Sequence, residues 1–310
     1  MLKRHDLHPV QTLAEMRKRL ELQPDEEGSL LAYLDKFHYP LWITQFYENL
    51  LAVSEAIARE AIAHNVRVLE LRYSPVIHTY GGLTVRQAIR AILSGVNRAQ
   101  GGRVELRAGL VVIAMRQHGP HIAKILARQA IAEAEHLHKR SGVVGFDIAG
   151  PERGNPPKLF RESFEIARAG RIGITAHAGE DAPAEYIWQA IDELGATRIG
   201  HGCSAIHDEV LLRRMAKDRI LVECCPTSNY QTGAVERGKP HPILTFLDHG
   251  VPVAICTDNT TVSRTHQDRE TALVQAMLGR RGSATVRQIH AEATAHSFIA
   301  AAREAALPRR

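Results

Sequence analysis

Three stretches of this chain end a short apolar run on residues that can hold a metal ion or move a proton. Ile172-Gly173-Ile174-Thr175 leads through Ala176 to His177-Ala178-Gly179-Glu180. Thr197-Arg198-Ile199 leads to Gly200-His201-Gly202, and Val251 to Cys256 leads to Thr257-Asp258-Asn259. Histidines and carboxylates are what a metal-assisted hydrolase needs: ligands for the ion, a proton donor, and a group that aims the water. Polar residues at the ends of successive apolar strands are also where a parallel α/β barrel carries its chemistry. His177 and Glu180 can both face the mouth of such a barrel, with Gly179 permitting a sharp turn between them. Each residue also has a plainer alternative. A single histidine is often a hydrogen-bonded core residue, and His201 could sit exposed in a turn of small residues. Asp258 could cap a helix as readily as bind a metal. In Cys225-Pro226-Thr227-Ser228-Asn229 the polar residues read first as turn formers. Phe146-Asp147-Ile148-Ala149-Gly150 closes an earlier strand. There Asp147 reads as an interior polar group needing a partner, and Gly150 as backbone that can meet a ligand.

The elements that would position these residues alternate along the chain. Strands are expected at Val66–Tyr73, Val104–Ile113, Val143–Ile148, Ile172–Ala176, Thr197–Gly200, Ile220–Cys224 and Val251–Cys256, from β-branched and apolar runs. Helical patterns lie before and between them, at Glu48–His64, Gln117–Arg140, Pro157–Ala169, Ala184–Leu194, His207–Asp218 and Pro242–His249. This alternation predicts a parallel sheet with helical crossovers. No linker, composition break or fixed repeat divides the chain, so residues 1–310 read as one domain. The strand count is about one short of the eight in a TIM-type barrel. The shortfall falls at the start: Met1 to Gln23 holds no convincing strand, and Gln11–Leu22 reads as a helix. An open doubly wound sheet is the alternative, but no glycine-rich phosphate loop follows an early strand.

Composition narrows the function. The 310 residues are 45% hydrophobic and 24% charged, which suits a soluble globular protein with a large core. The net charge of +5 comes from scattered basic residues, so no nucleic-acid surface is expected. No apolar run is long enough to span a membrane, and the first residues do not form a signal peptide. Cys203, Cys224, Cys225 and Cys256 contain no Cys-x-x-Cys pair; they read as reduced core residues of a cytoplasmic protein.

The ordered set His-Ala-Gly-Glu, Gly-His-Gly and Thr-Asp at successive strand ends resembles the adenosine deaminase family of metal-dependent amidohydrolases. The resemblance runs from about Pro9 to Ala300 and takes in Glu70-Leu71-Arg72-Tyr73-Ser74-Pro75, Val144 to Gly150, Pro156-Pro157-Lys158-Leu159-Phe160, Arg198 to Gly202 and Cys225 to Asn229. It implies a TIM-type barrel and a zinc ion held by His177 and Asp258. It further implies Glu180 as the acid for a purine ring nitrogen, His201 as the group that orients and helps deprotonate the attacking water, and a Gly150 backbone contact to the base. The substrate would be adenosine or a related 6-aminopurine. A homo-oligomer is possible.

Two departures from the family pattern matter. Asn259 stands where many members carry a second Asp, so an amide replaces a carboxylate at a position expected to touch substrate. The family also opens on a strand ending in His-x-His, followed by a Pro-x-Thr helix start. Here His8-Pro9-Val10-Gln11-Thr12-Leu13 resembles that helix start, which places the His-x-His at or before Met1. A catalytic zinc ordinarily has three protein ligands. Three expectations follow: a natural start further upstream, a chain that is a silent purine binder or interaction partner, or substitute ligands at His5 and His8. Phe37 and Trp42 are candidates to cover the pocket.

Overall fold

The computed structural model describes residues 12–100, 106–134 and 141–299. Four helices open the described chain: α1 (Leu13–Leu20), α2 (Leu30–Asp35), α3 (His38–Ile43) and α4 (Tyr47–Ala63). Strands and helices then alternate: β1 (Val68–Tyr73), α5 (Val85–Ala99), β2 (Arg107–Met115), α6 (Gly119–Ala132), β3 (Val143–Ala149), α7 (Arg161–Ala169), β4 (Gly173–Ala178), α8 (Glu185–Asp192), β5 (Arg198–His201), α9 (Glu209–Lys217) and β6 (Leu221–Cys224). After β6 come α10 (Pro226–Gln231), α11 (Ile243–Asp248), β7 (Val253–Ile255), α12 (Thr260–Ser263), α13 (Gln267–Leu278) and α14 (Gly282–Ala295).

The seven strands are parallel and lie in sequential order, curled into part of a barrel. This is the TIM-type arrangement short of its first strand; among the described residues no strand precedes β1. The expected helix start at Gln117 moves to Gly119, where Pro120 takes a first-turn position that lacks an N–H without loss. β2 begins at Arg107 and ends at Met115, two residues beyond the expected end; residues 104 and 105 of the expected strand lie outside the described residues. Residues 135–140 of the expected long helix lie outside the described residues.

Period-two alternation sorts the strand residues into two sets. Leu110, Val112, Phe146, Ile148, Ile174, Ala176, Ile199, Val222 and Val253 pack into one apolar cluster with the helices. The alternate positions point inward. At the base, Val111 and Val144 pack with Phe298 and Ile299, which follow α14. Phe298 fits only because β3 and β4 carry glycines there: a Cβ on Gly173 would stand 2.2 Å from its ring.

Above this apolar floor the interior is ionic. Arg72 reaches Glu223 and Asp147, the latter at 3.1 Å; Arg198 pairs with Glu70 at 2.6 Å and Glu223 at 2.8 Å. The Arg198 guanidinium also lies over the Phe298 ring, 3.6 Å from its centroid. Burying charges is costly unless each is paired. Here two guanidiniums and three carboxylates satisfy one another across β1, β3, β5 and β6.

Candidate active site

The site sits at the C-terminal ends of β3 to β7, directly above the ionic layer. His177 closes β4, and Asp147 of the neighbouring strand holds it twice. The His177 backbone N–H donates to one carboxylate oxygen at 3.1 Å, and ring Nδ1 lies 2.9 Å from the other. Arg116 donates to the His177 carbonyl at 2.6 Å. Burial alone would push the Asp147 carboxyl up, but the His177 ring and the Arg72 guanidinium outweigh it and hold it at about 2. Burial likewise depresses His177, and the Asp147 charge overcomes this and raises it. With Nδ1 committed to a carboxylate, Nε2 is the nitrogen turned away from Asp147, as in histidines that ligate metals. The interior partner that Asp147 needed is therefore His177, together with Arg72.

His201 takes a left-handed φ of 63°, a conformation that side chains other than glycine avoid. Its ring lies 5.1 Å from that of His177. A relay of side chains behind it fixes the proton positions. Ile243 N–H can only donate, and it does so to Nδ1 of His241 at 3.1 Å. His241 Nε2 therefore donates to the Asn229 carbonyl oxygen at 3.1 Å, which also accepts from Cys225 N–H at 3.3 Å. Asn229 Nδ2 then donates to His201 Nδ1 at 2.9 Å. A neutral His201 consequently carries its proton on Nε2, which faces Glu180 Oε2 at 3.6 Å. Burial keeps His241 neutral by lowering it to about 4. Gly200, beside His201, lets the strands close up, since a Cβ there would crowd the His177 ring at 3.3 Å.

Glu180 is half-buried, and withdrawal of its carboxyl from water raises its pKa, with the Asp258 and Glu152 carboxylates adding to the rise. Asp258 also has a left-handed φ, 53°. Ser228 Oγ donates to one of its oxygens at 2.7 Å and Asn259 Nδ2 to the other at 2.7 Å. The residue that caps α12 is Asn259, so Asp258 is not a helix cap. Gly150 has φ +95°, and a Cβ on it would stand 2.5 Å from Gln117 Oε1, so the position demands glycine.

Several residues act here that the sequence reading left aside. Ser228 and Asn229, expected to form a turn, open α10 and position Asp258 and His201 instead. Tyr33 of α2, not Phe37, reaches toward the strand ends: its hydroxyl lies 2.8 Å from Ser263 Oγ. Phe37 packs edge-on against Tyr33, and Trp42 is half-buried. The signal for Tyr33 would have been its place one helical turn before Phe37. Glu70, Arg72, Arg198 and Glu223 were legible as charges at alternate positions of apolar strands. A cleft of about 600 Å³ opens beside Thr227 and Ser263, lined in part by Arg237, Arg264 and Arg269. It contains none of the strand-end residues, so the chemistry belongs to the latter.

His177 and Asp258 have the donor chemistry of metal ligands, and each is held by hydrogen-bond partners in the manner ligands usually are. Among the described residues these two are the ligands the barrel mouth offers in the roles expected. His5 and His8 lie outside the described residues.

A parallel α/β barrel with His and Glu at the end of β4, His at the end of β5 and Asp after β7 defines a hydrolase of the amidohydrolase type. The family model described as adenosine deaminase matches residues 3–310, and the chain belongs to that family. An adenosine deaminase from Shewanella denitrificans is 34% identical over 272 residues, covering 87% of this chain and 80% of that protein. A probable adenosine deaminase from Dictyostelium discoideum is 36% identical over 243 residues, 78% of this chain but 31% of that longer protein. Among solved structures, an adenine deaminase from Arthrobacter aurescens has TM-score 0.77 at 23% identity, covering 89% of this chain and 81% of that one. The N6-methyl-AMP deaminase of Arabidopsis thaliana has TM-score 0.80 at 22% identity, with 96% and 85% covered. A zinc-bound amidohydrolase from Burkholderia ambifaria has TM-score 0.73 at 23% identity, with 89% and 76% covered.

Proposed function

We propose that this protein catalyses hydrolytic deamination of a 6-aminopurine, with adenosine the best candidate: water adds at C6 and ammonia leaves. The observation that carries this reading is the pairing of a proton-holding Glu180 with an oriented His201 at the mouth of the barrel. Burial keeps the Glu180 carboxyl protonated at higher pH than an exposed glutamate, so it can donate to a purine ring nitrogen. His201, with its proton on Nε2, orients the attacking water by donating to it. This refines the expected role: in this tautomer the ring aims the water by donating to it, and the proton that the water sheds leaves with the ammonia. The Gly150 backbone is the contact for the base. The Asn259 amide, one of whose two N–H groups serves Asp258, has a carbonyl oxygen to offer as an acceptor. His177 and Asp258 would hold a zinc ion, and the zinc would supply the Lewis acidity that lowers the pKa of the attacking water.

The chemistry of the relatives supports adenosine as substrate, and the solved structures, bearing on the fold, put adenine and N6-methyl-AMP on the panel to be tried. A second reading is a silent purine binder, which would hold a 6-aminopurine at the same mouth without turning it over. Turnover measured over adenosine, adenine, AMP and N6-methyl-AMP with zinc supplied separates these readings. Deamination of one of them supports the first; purine binding without turnover supports the second.

A further inference from the structure

A second cluster of metal-binding side chains lies away from the strand ends. His64, at the C-terminal cap of α4, His266, at the N-terminal cap of α13, and Asp268 in the first turn of α13 bring one ligand atom each to within 4.8 Å of one another. His64 Nδ1 is 2.9 Å from Asp268 Oδ2. The two imidazoles stack with centroids 3.9 Å apart and planes 9° from parallel. Among the described residues this is the one group of three histidine, cysteine or carboxylate side chains so assembled.

The position in the fold gives the cluster its interest. Helix α4 leads directly into β1, and α13 follows β7 by way of α12. Strands β1 and β7 are the two edges of the seven-stranded sheet. The cluster therefore ties together the segments flanking both edges, across the side of the barrel that no described strand closes.

We propose that His64, His266 and Asp268 form a structural site for a borderline divalent cation of the zinc class, which ties the segment before β1 to the segment after β7. Imidazole and carboxylate in a two-to-one ratio suit zinc and its neighbours, whereas magnesium and calcium prefer oxygen ligands. Tetrahedral ligands about 2.0–2.1 Å from zinc stand roughly 3.3 Å apart. The His64–Asp268 contact already lies near that separation, so an ion replaces the proton they share with little movement. His266 Nδ1 accepts a long cap bond of 3.4 Å from Arg269 N–H. That bond is weak enough to yield to a metal. The side chains are half-buried or exposed, which lets the rings splay from parallel to converge on one ion. This inference does not depend on the reading of the barrel mouth.

The test is equilibrium dialysis of the full chain against zinc chloride, with zinc counted per chain by elemental analysis and thermal unfolding followed in parallel. The comparison set is the parent, His64→Gln, His266→Gln, Asp268→Asn and, for the barrel mouth, His177→Gln. Far-UV circular dichroism confirms that each variant is folded; Asp268→Asn, at an exposed position, leaves the backbone least disturbed. The parent is expected to gain thermal stability with zinc and not with magnesium. His64→Gln and Asp268→Asn are each expected to bind about one ion fewer per chain and to lose that gain, while His177→Gln keeps it. Zinc counts and thermal gains in His64→Gln, His266→Gln and Asp268→Asn equal to those of the parent would overturn the proposal. Loss confined to His177→Gln would overturn it as well.

Discussion

Glu180 and His201 are the residues on which the chemistry turns, and their neighbours decide what they do. Replacing Glu180 by Gln keeps the shape and removes the proton. Activity is expected to fall by about 10²–10⁴-fold with little change in thermal stability. Asn229→Ala breaks the relay at its centre. It leaves a buried His241 donor unpaired and is expected to cost about 1–3 kcal/mol of stability, measured by urea unfolding, and to lower kcat more than it raises KM. The buried histidines also set an acid limit. Burial lowers both His78 and His241 to about 4, so between that value and the ordinary 6.5 the unfolded chain binds more protons than the folded one. Stability is then fully present above about pH 6.5 and declines as pH falls toward 4, by up to about 1.4 kcal/mol per pH unit for each histidine. His177, which Asp147 raises, works in the opposite sense. Comparing His78→Gln with the parent isolates the effect: the variant should show a flatter loss of stability from pH 6.5 to 4.5, and an identical slope would refute it.

At the scale of elements, much was legible and some was not. His177, Glu180, His201 and Asp258 stood out because each ends a visibly β-branched run, and consecutive parallel strands set such ends side by side. The seven strands were readable for the same reason. The ionic interior was not read, although Glu70, Arg72, Arg198 and Glu223 sit at alternate strand positions. Charges in a strand suggest a solvent-facing side, and only the closed curvature of the sheet turns that side inward. Ser228 and Asn229 were misjudged because local turn propensity says nothing about the neighbouring strand ends, of β7 and β5, that they serve. The same network yields a prediction. Arg72 pairs with Glu223 and Asp147, so Arg72→Met takes one cationic partner from each of two buried carboxylates, leaving Arg198 on Glu223 and His177 on Asp147, and is expected to destabilise the fold by at most about 3–5 kcal/mol in denaturant unfolding. Glu223→Gln keeps the hydrogen-bonding shape and should cost less.

The described residues form a sequential parallel sheet with a mouth, a floor and a side, between β1 and β7, that no described strand closes. One apolar cluster runs from Leu50 to Ile289, linking α4 at one flank with α14 at the other. The floor depends on Phe298; Phe298→Ala is expected to cost about 3–5 kcal/mol, because the glycines beneath it cannot fill the space. The edges pair with no further strand among the described residues. Contacts of Leu22 with Val262, Tyr33 with Ser263 and His64 with Asp268 bring the N-terminal helices across to the β7 side instead. Whether the assembled mouth performs chemistry is tested most directly by ultraviolet assay of adenosine deamination by the full 310-residue chain with zinc supplied. Glu180→Gln is assayed alongside. Turnover in the parent that is lost in Glu180→Gln is the expected result. No turnover of adenosine, adenine, AMP or N6-methyl-AMP, or turnover that survives Glu180→Gln unchanged, would contradict it.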